Sequence, residues 1–82
     1  MHSTRSIFMS LYYFDLLDGV TQCDRIGVEL DNDAAAKQEA IMRSLNGTTQ
    51  QLAHYDGSEE IAVRNVQGEQ IFKTKIKRRI AL

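Results

Sequence analysis

Two periodicities divide this chain. Near its start, Leu11-Tyr12-Tyr13-Phe14-Asp15-Leu16-Leu17 is a run of aromatic and aliphatic residues that suits a pleated, half-buried surface. Asp18-Gly19 follows and supplies the positive φ of a tight hairpin. Val20-Thr21-Gln22-Cys23 reads as a short return strand, and residues 24–30, with Gly27 inside them, as an irregular or extended approach to the next element. Near the other end, residues 60–66 read as a strand, Gln67-Gly68 as a turn and residues 70–77 as the hairpin partner. The period of two is clearest there. Phe72, Thr74 and Ile76 share one face, and Lys73, Lys75 and Lys77 share the other.

Between the hairpins the period lengthens to that of a helix. Asp31-Asn32-Asp33 precedes Ala34-Ala35-Ala36, and either Asp31 or Asn32 caps the first free amides. At 100° per residue, Ala34, Ile41, Leu45 and Leu52 fall on one stripe, flanked by Ala35, Met42 and Thr49 on one side and by Thr48 and Tyr55 on the other. The pattern predicts an amphipathic helix of about 20 residues, weakest at Gly47 and ended by His54-Tyr55-Asp56-Gly57-Ser58.

The order is strand, strand, helix, strand, strand. The expected fold is α+β, a β-β-α-β-β chain forming a four-stranded antiparallel sheet with one helix packed on one face. Tyr12, Phe14, Leu16, Ile61, Val63, Phe72 and Ile76 are its expected core, meeting Ile41, Met42, Leu45 and Leu52 of the helix. Residues 9–82 make the single domain. Residues 1–8, polar and irregular, read as a disordered N-terminal extension.

The stretch from Tyr12 to Gly19, with Asp24, Gly27, Glu29, Leu30 and the alanines Ala34 to Ala36 after it, resembles a family of short bacterial proteins, the domain of unknown function 6894. Its members read Y-Y-F-D-L-x-D-G, then D-x-x-G-x-E-L, then an Ala-rich helix and two closing strands. The likeness spans about residues 9–80 and supports the same fold. It implies no activity. The more basic end at Lys77-Arg78-Arg79 departs from the pattern.

Composition narrows the functional classes. With 82 residues the chain makes one small domain, and a deep cleft would compete with the core for the same apolar side chains. One cysteine excludes an internal disulfide framework and a four-thiolate zinc site. No apolar run reaches the length of a membrane span or carries a cleavage signal, so the expected location is cytoplasmic. Net charge is −1, yet the last ten residues carry five Lys/Arg and no acid, while all 11 Asp/Glu precede them. Such asymmetry bears on partners rather than on fold.

Candidate chemistry is sparse. Asp15, Asp18 and Asp24 surround the first hairpin and could converge on a cation, but aspartate in turns ordinarily accepts backbone amides. Cys23 lacks a neighbouring base, with His54 far along the chain, and reads as a partly buried, inert thiol. The glycines are scattered singly and build no phosphate loop. No cofactor, metal or catalytic set is expected. Two surfaces remain. Lys73, Lys75, Lys77, Arg78 and Arg79 form a basic stripe able to follow the phosphates of a nucleic acid, with Tyr13 as a stacking surface, or to meet an acidic protein. Lysines on an edge strand also guard against aggregation. Leu11, Tyr13 and Leu17 point away from the helix and form an apolar strip suited to a homodimer, through this face or through the edge of the last strand. The sequence thus reads as a non-enzymatic, homodimeric interaction module, with nucleic-acid binding through the basic strand as the alternative.

Overall fold

A computed structural model describes residues 9–45 and 58–77. The expected N-terminal extension, the far half of the helix with Gly47, Leu52 and His54, and the arginines Arg78 and Arg79 lie outside the described residues.

The chain runs β1 (Ser10–Asp18), β2 (Val20–Gln22), β3 (Val28–Leu30), α1 (Asp33–Leu45), β4 (Glu60–Arg64) and β5 (Gln70–Lys75). All strand pairs are antiparallel, in the order β2-β1-β4-β5, with β3 also on β1. The class is therefore α+β as expected, with five strands rather than four. The added strand is β3, where an irregular approach was expected. Leu16 faces Gln22 while Tyr12 faces Val28, so a stretch of β1 is matched by a longer stretch of the returning chain. β2 and β3 are thus one return strand interrupted by an insertion. The chain reverses into β2 at Gly19, whose φ is +76°, and Asp18 keeps a negative φ. The turn is accordingly not the form that needs positive φ at both central residues.

Alternate residues of β1 divide the sheet into two faces. Tyr12, Phe14 and Leu16 point toward the helix and are buried with Ile61, Val63 and Ile76, as the sequence pattern requires. Phe72 packs against this core but is only partly buried.

The helix differs from expectation in rotation. Its buried residues are Ala36, Ala40 and Ser44, whereas Ile41, Met42 and Leu45 are exposed. At 100° per residue this face lies roughly 120° around the helix from the apolar stripe. Two small side chains and a serine let the helix approach a sheet face already filled by large residues. Three anchors fix the rotation. The Asn32 side chain accepts the Ala35 amide at 2.8 Å, which makes it the cap. The Tyr12 hydroxyl donates to Asp33 at 2.7 Å. Arg43 lays its guanidinium 4.2 Å from the centre of the Phe14 ring while holding Glu39 at 2.8 Å. After β5, the Lys77 amide bonds the Ser44 carbonyl at 3.0 Å and ties the chain to the last helical turn.

Candidate functional site

The sheet face opposite the helix carries Leu11, Tyr13, Asp15 and Leu17 from β1, with Ala62 and Arg64 of β4 beside Asp15 and Tyr13. Its centre is a polar knot. Arg64 forks onto Asp15, with Nε on one oxygen at 2.5 Å and Nη2 on the other at 3.1 Å. The same guanidinium reaches the Asp24 carbonyl at 3.2 Å and lies 4.9 Å from the centre of the Tyr13 ring. Asp15 in turn accepts the Asp24 amide at 2.9 Å. The Asp15 hydrogen bonds raise the Arg64 pKa further above its ordinary value.

Asp24 occupies the insertion between β2 and β3. Its carboxylate accepts the amides of Phe14 at 3.1 Å, Ile26 at 2.9 Å and Gly27 at 3.1 Å. The side chain thereby replaces the strand partner that the insertion removes from Phe14. Burial alone would raise its pKa, but these three amides, with the charge of Arg43, outweigh burial and hold it below the usual carboxylate range. Gly27 closes the loop at φ +79°, and a Cβ there would stand 3.0 Å from the Tyr12 carbonyl oxygen and from the Leu11 side chain. Asp15 and Asp24 are thus engaged with amides and a guanidinium, and Asp18 lies on the opposite face of β1 from Asp15. The described residues contain no group of three His, Cys, Asp or Glu placed to hold a metal ion.

The expected apolar strip is narrower than the sequence suggested. Leu11, Tyr13 and Leu17 are each half-buried. Tyr13 lies under Arg64, and Leu11 lies against Gly27. Among the strongly exposed apolar groups, which include Val20 and Met42, are two residues that sequence reasoning passed over, Ile26 at 86% and Val66 at 55%. Together with Met9, Leu11 and Glu29 they border an open hollow of about 650 Å³ at one end of the sheet. Val66 is presented there by the β4–β5 turn, where the Asn65 side chain accepts the amides of Gln67 and Glu69. An interrupted return strand has no hydrophobic period to read, and Val66, expected within the strand over residues 60–66, lies beyond β4 in the turn, which is why neither residue stood out.

Of the basic stripe, Lys73, Lys75 and Lys77 lie among the described residues. Lys73 and Lys75 lie exposed on one face of β5, with Lys73 3.7 Å from Glu60. Lys77 is exposed but has left the strand, because its amide is taken by the helix end. The expected row of three lysines is therefore a pair. Cys23, expected to be partly buried, is exposed. None of the described helices is long and apolar enough to cross a membrane.

The model of the domain of unknown function DUF6894 matches residues 11–77. Neither a curated protein nor a solved structure matches the chain.

Proposed function

We propose that this chain, which belongs to the DUF6894 family, is a non-enzymatic interaction module that forms a homodimer through the sheet face turned away from its helix. The observation that supports this reading is the pair of solvent-exposed side chains, Ile26 and Val66, beside Leu11 at the edge of that face. Apolar groups gathered in this way favour a protein contact over water, and a twofold axis lets one patch cover its own copy. A domain of 82 residues has a small core, so the area buried in a dimer also adds to its stability. Light scattering or sedimentation at micromolar concentration tests the reading. The expected particle has twice the 9.3 kDa mass of one chain, and Ile26→Asp with Val66→Asp returns it to the monomer. A monomer throughout the micromolar range overturns it.

The exposed Lys73, Lys75 and Lys77 support a second reading, nucleic-acid binding. With Arg78 and Arg79 they would neutralise about four phosphates, so log K would fall against log salt with a slope of roughly −3 to −4. A salt-indifferent signal, or none at low salt, removes this reading.

A further inference from the structure

The two edges of the sheet are built differently. On one, the insertion at residues 23–27 divides the return strand into β2 and β3, each three residues long. On the other, β5 runs six residues without interruption, and none of the described residues pairs with its outer side. Every second residue of β5 therefore turns its amide and carbonyl outward, a ready template for an added strand.

The surroundings of this edge differ above and below. On the face away from the helix stand Lys73 and Lys75, both exposed. On the helix side, α1 packs over β4 and β5. Arg43 leaves the buried helical face on the flank toward β1, where it covers Phe14. At 100° per residue, Ile41 leaves about 100° round on the opposite flank, the one toward the outer edge of β5, and Leu45 about 140° round, further toward solvent. They are 37% and 43% exposed. A strand laid along β5 would meet ammonium groups on one face and an apolar ledge on the other.

We propose that the outer edge of β5 is the docking site for an extended segment of a partner protein that alternates acidic and apolar residues, its acids facing Lys73 and Lys75 and its apolar side chains lying toward Ile41. A second copy of the chain does not suit this edge. Pairing β5 with itself brings lysines together on one face, and like charges directly opposite destabilise a strand pair. The same lysines complement glutamate or aspartate across the pair. This site is separate from the dimer face and does not depend on it.

The test titrates the isotopically labelled full chain with a synthetic peptide alternating glutamate and valine, read by NMR and by calorimetry. Two control peptides have the same composition in blocks or lysine in place of glutamate, and a single-stranded RNA serves as competitor. The expected result is binding of the alternating peptide with slowed hydrogen exchange at the outward amides of β5. Lys73→Glu with Lys75→Glu weakens it roughly tenfold and transfers preference to the lysine peptide, which also shows that the variant is folded. The proposal is overturned by absence of binding, by equal binding of the block peptide, by perturbations confined to Leu11, Ile26 and Val66, or by RNA displacing the peptide from β5.

Discussion

Replacing Asp24 isolates the interaction that joins the two halves of the return strand. Asp24→Ala removes the acceptor of three amides. The Ile26 amide bonds at an exposed site and is taken over by water, whereas those of Phe14 and Gly27 bond at partly buried sites. Leaving such donors without a partner costs about 1–2 kcal/mol each, so the substitution should destabilise the domain by about 2–4 kcal/mol. In a domain this small that lowers Tm by roughly 10–30 °C. Asp24→Asn keeps one acceptor oxygen for Ile26 and Gly27 but turns an amide group toward the Phe14 N–H. Its loss should be smaller, about 1–2 kcal/mol. Because the folded pKa of Asp24 is depressed, its contribution is present above the unfolded carboxylate pKa and is lost as pH falls through the folded value. The native chain should therefore lose stability in acid more steeply than Asp24→Asn. Urea unfolding followed by circular dichroism, at neutral pH and down into the acid range, measures all three quantities. An Asp24→Ala variant within about 0.5 kcal/mol of the native chain, or an Asp24→Asn variant as damaging as Asp24→Ala, would refute the reasoning.

Substitutions at Gly27, Arg64 and Tyr12, with controls, probe the same frame. Gly27→Ala places a Cβ against the Tyr12 carbonyl in a left-handed conformation, while Gly19→Ala has the same conformation with open space around it, so thermal melts should show the Gly27 variant as clearly the less stable. Arg64→Ala leaves the buried Asp15 carboxylate without its fork, and since Arg64 itself is partly exposed the expected loss is about 2–3 kcal/mol by urea unfolding. Arg64→Lys should recover less than half of it, because a single ammonium cannot span both oxygens. Burial, reinforced by Asp33, pushes the Tyr12 hydroxyl up to about 12. The folded pKa is raised, so this group's contribution is intact below pH 10 and is lost between about pH 10 and 12, a loss that Tyr12→Phe should abolish in alkaline melts.

The strands were legible because their patterns are local. The alternation at Phe72, Thr74 and Ile76 against Lys73 and Lys75 states a face residue by residue, and a one-residue slip would exchange them. The first strand announced itself by composition and Asn32 by its chemistry as a cap. The helix orientation was not legible in the same way. Hydrophobicity favoured Ile41 and Leu45, but which face a helix turns inward depends on the space the sheet leaves, and a sheet face holding Tyr12, Phe14, Ile61 and Val63 accepts Ala36, Ala40 and Ser44. Contacts between distant residues also outweighed amphipathicity, since Tyr12 holds Asp33 and Arg43 covers Phe14. β3 was missed for a related reason. Three residues after an insertion have too short a pattern to read, and only the pairing of Val28 with Tyr12 makes them a strand.

The motif residues acquire a physical meaning from this frame. Asp15, Asp24 and Gly27, three members of the family-like pattern, all serve the interruption of the return strand: one anchors the loop amide, one substitutes for a missing strand partner, and one permits the close approach to Tyr12. Groups held in this way by amides and a guanidinium have their bonding capacity committed to the loop and the strand it joins. The insertion also carries Ile26 out to 86% exposure and leaves one edge of the sheet broken into short strands. The two proposed contact surfaces lie elsewhere, at the apolar end around Ile26 and Val66 and along the continuous edge of β5. Substitutions that separate these properties should behave in opposite ways. Changes at Asp24 or Gly27 should lower stability and binding together, whereas Lys75→Glu should change peptide association while leaving the melting transition nearly in place, and Ile26→Asp should lower it only by the concentration-dependent share that the dimer contributes.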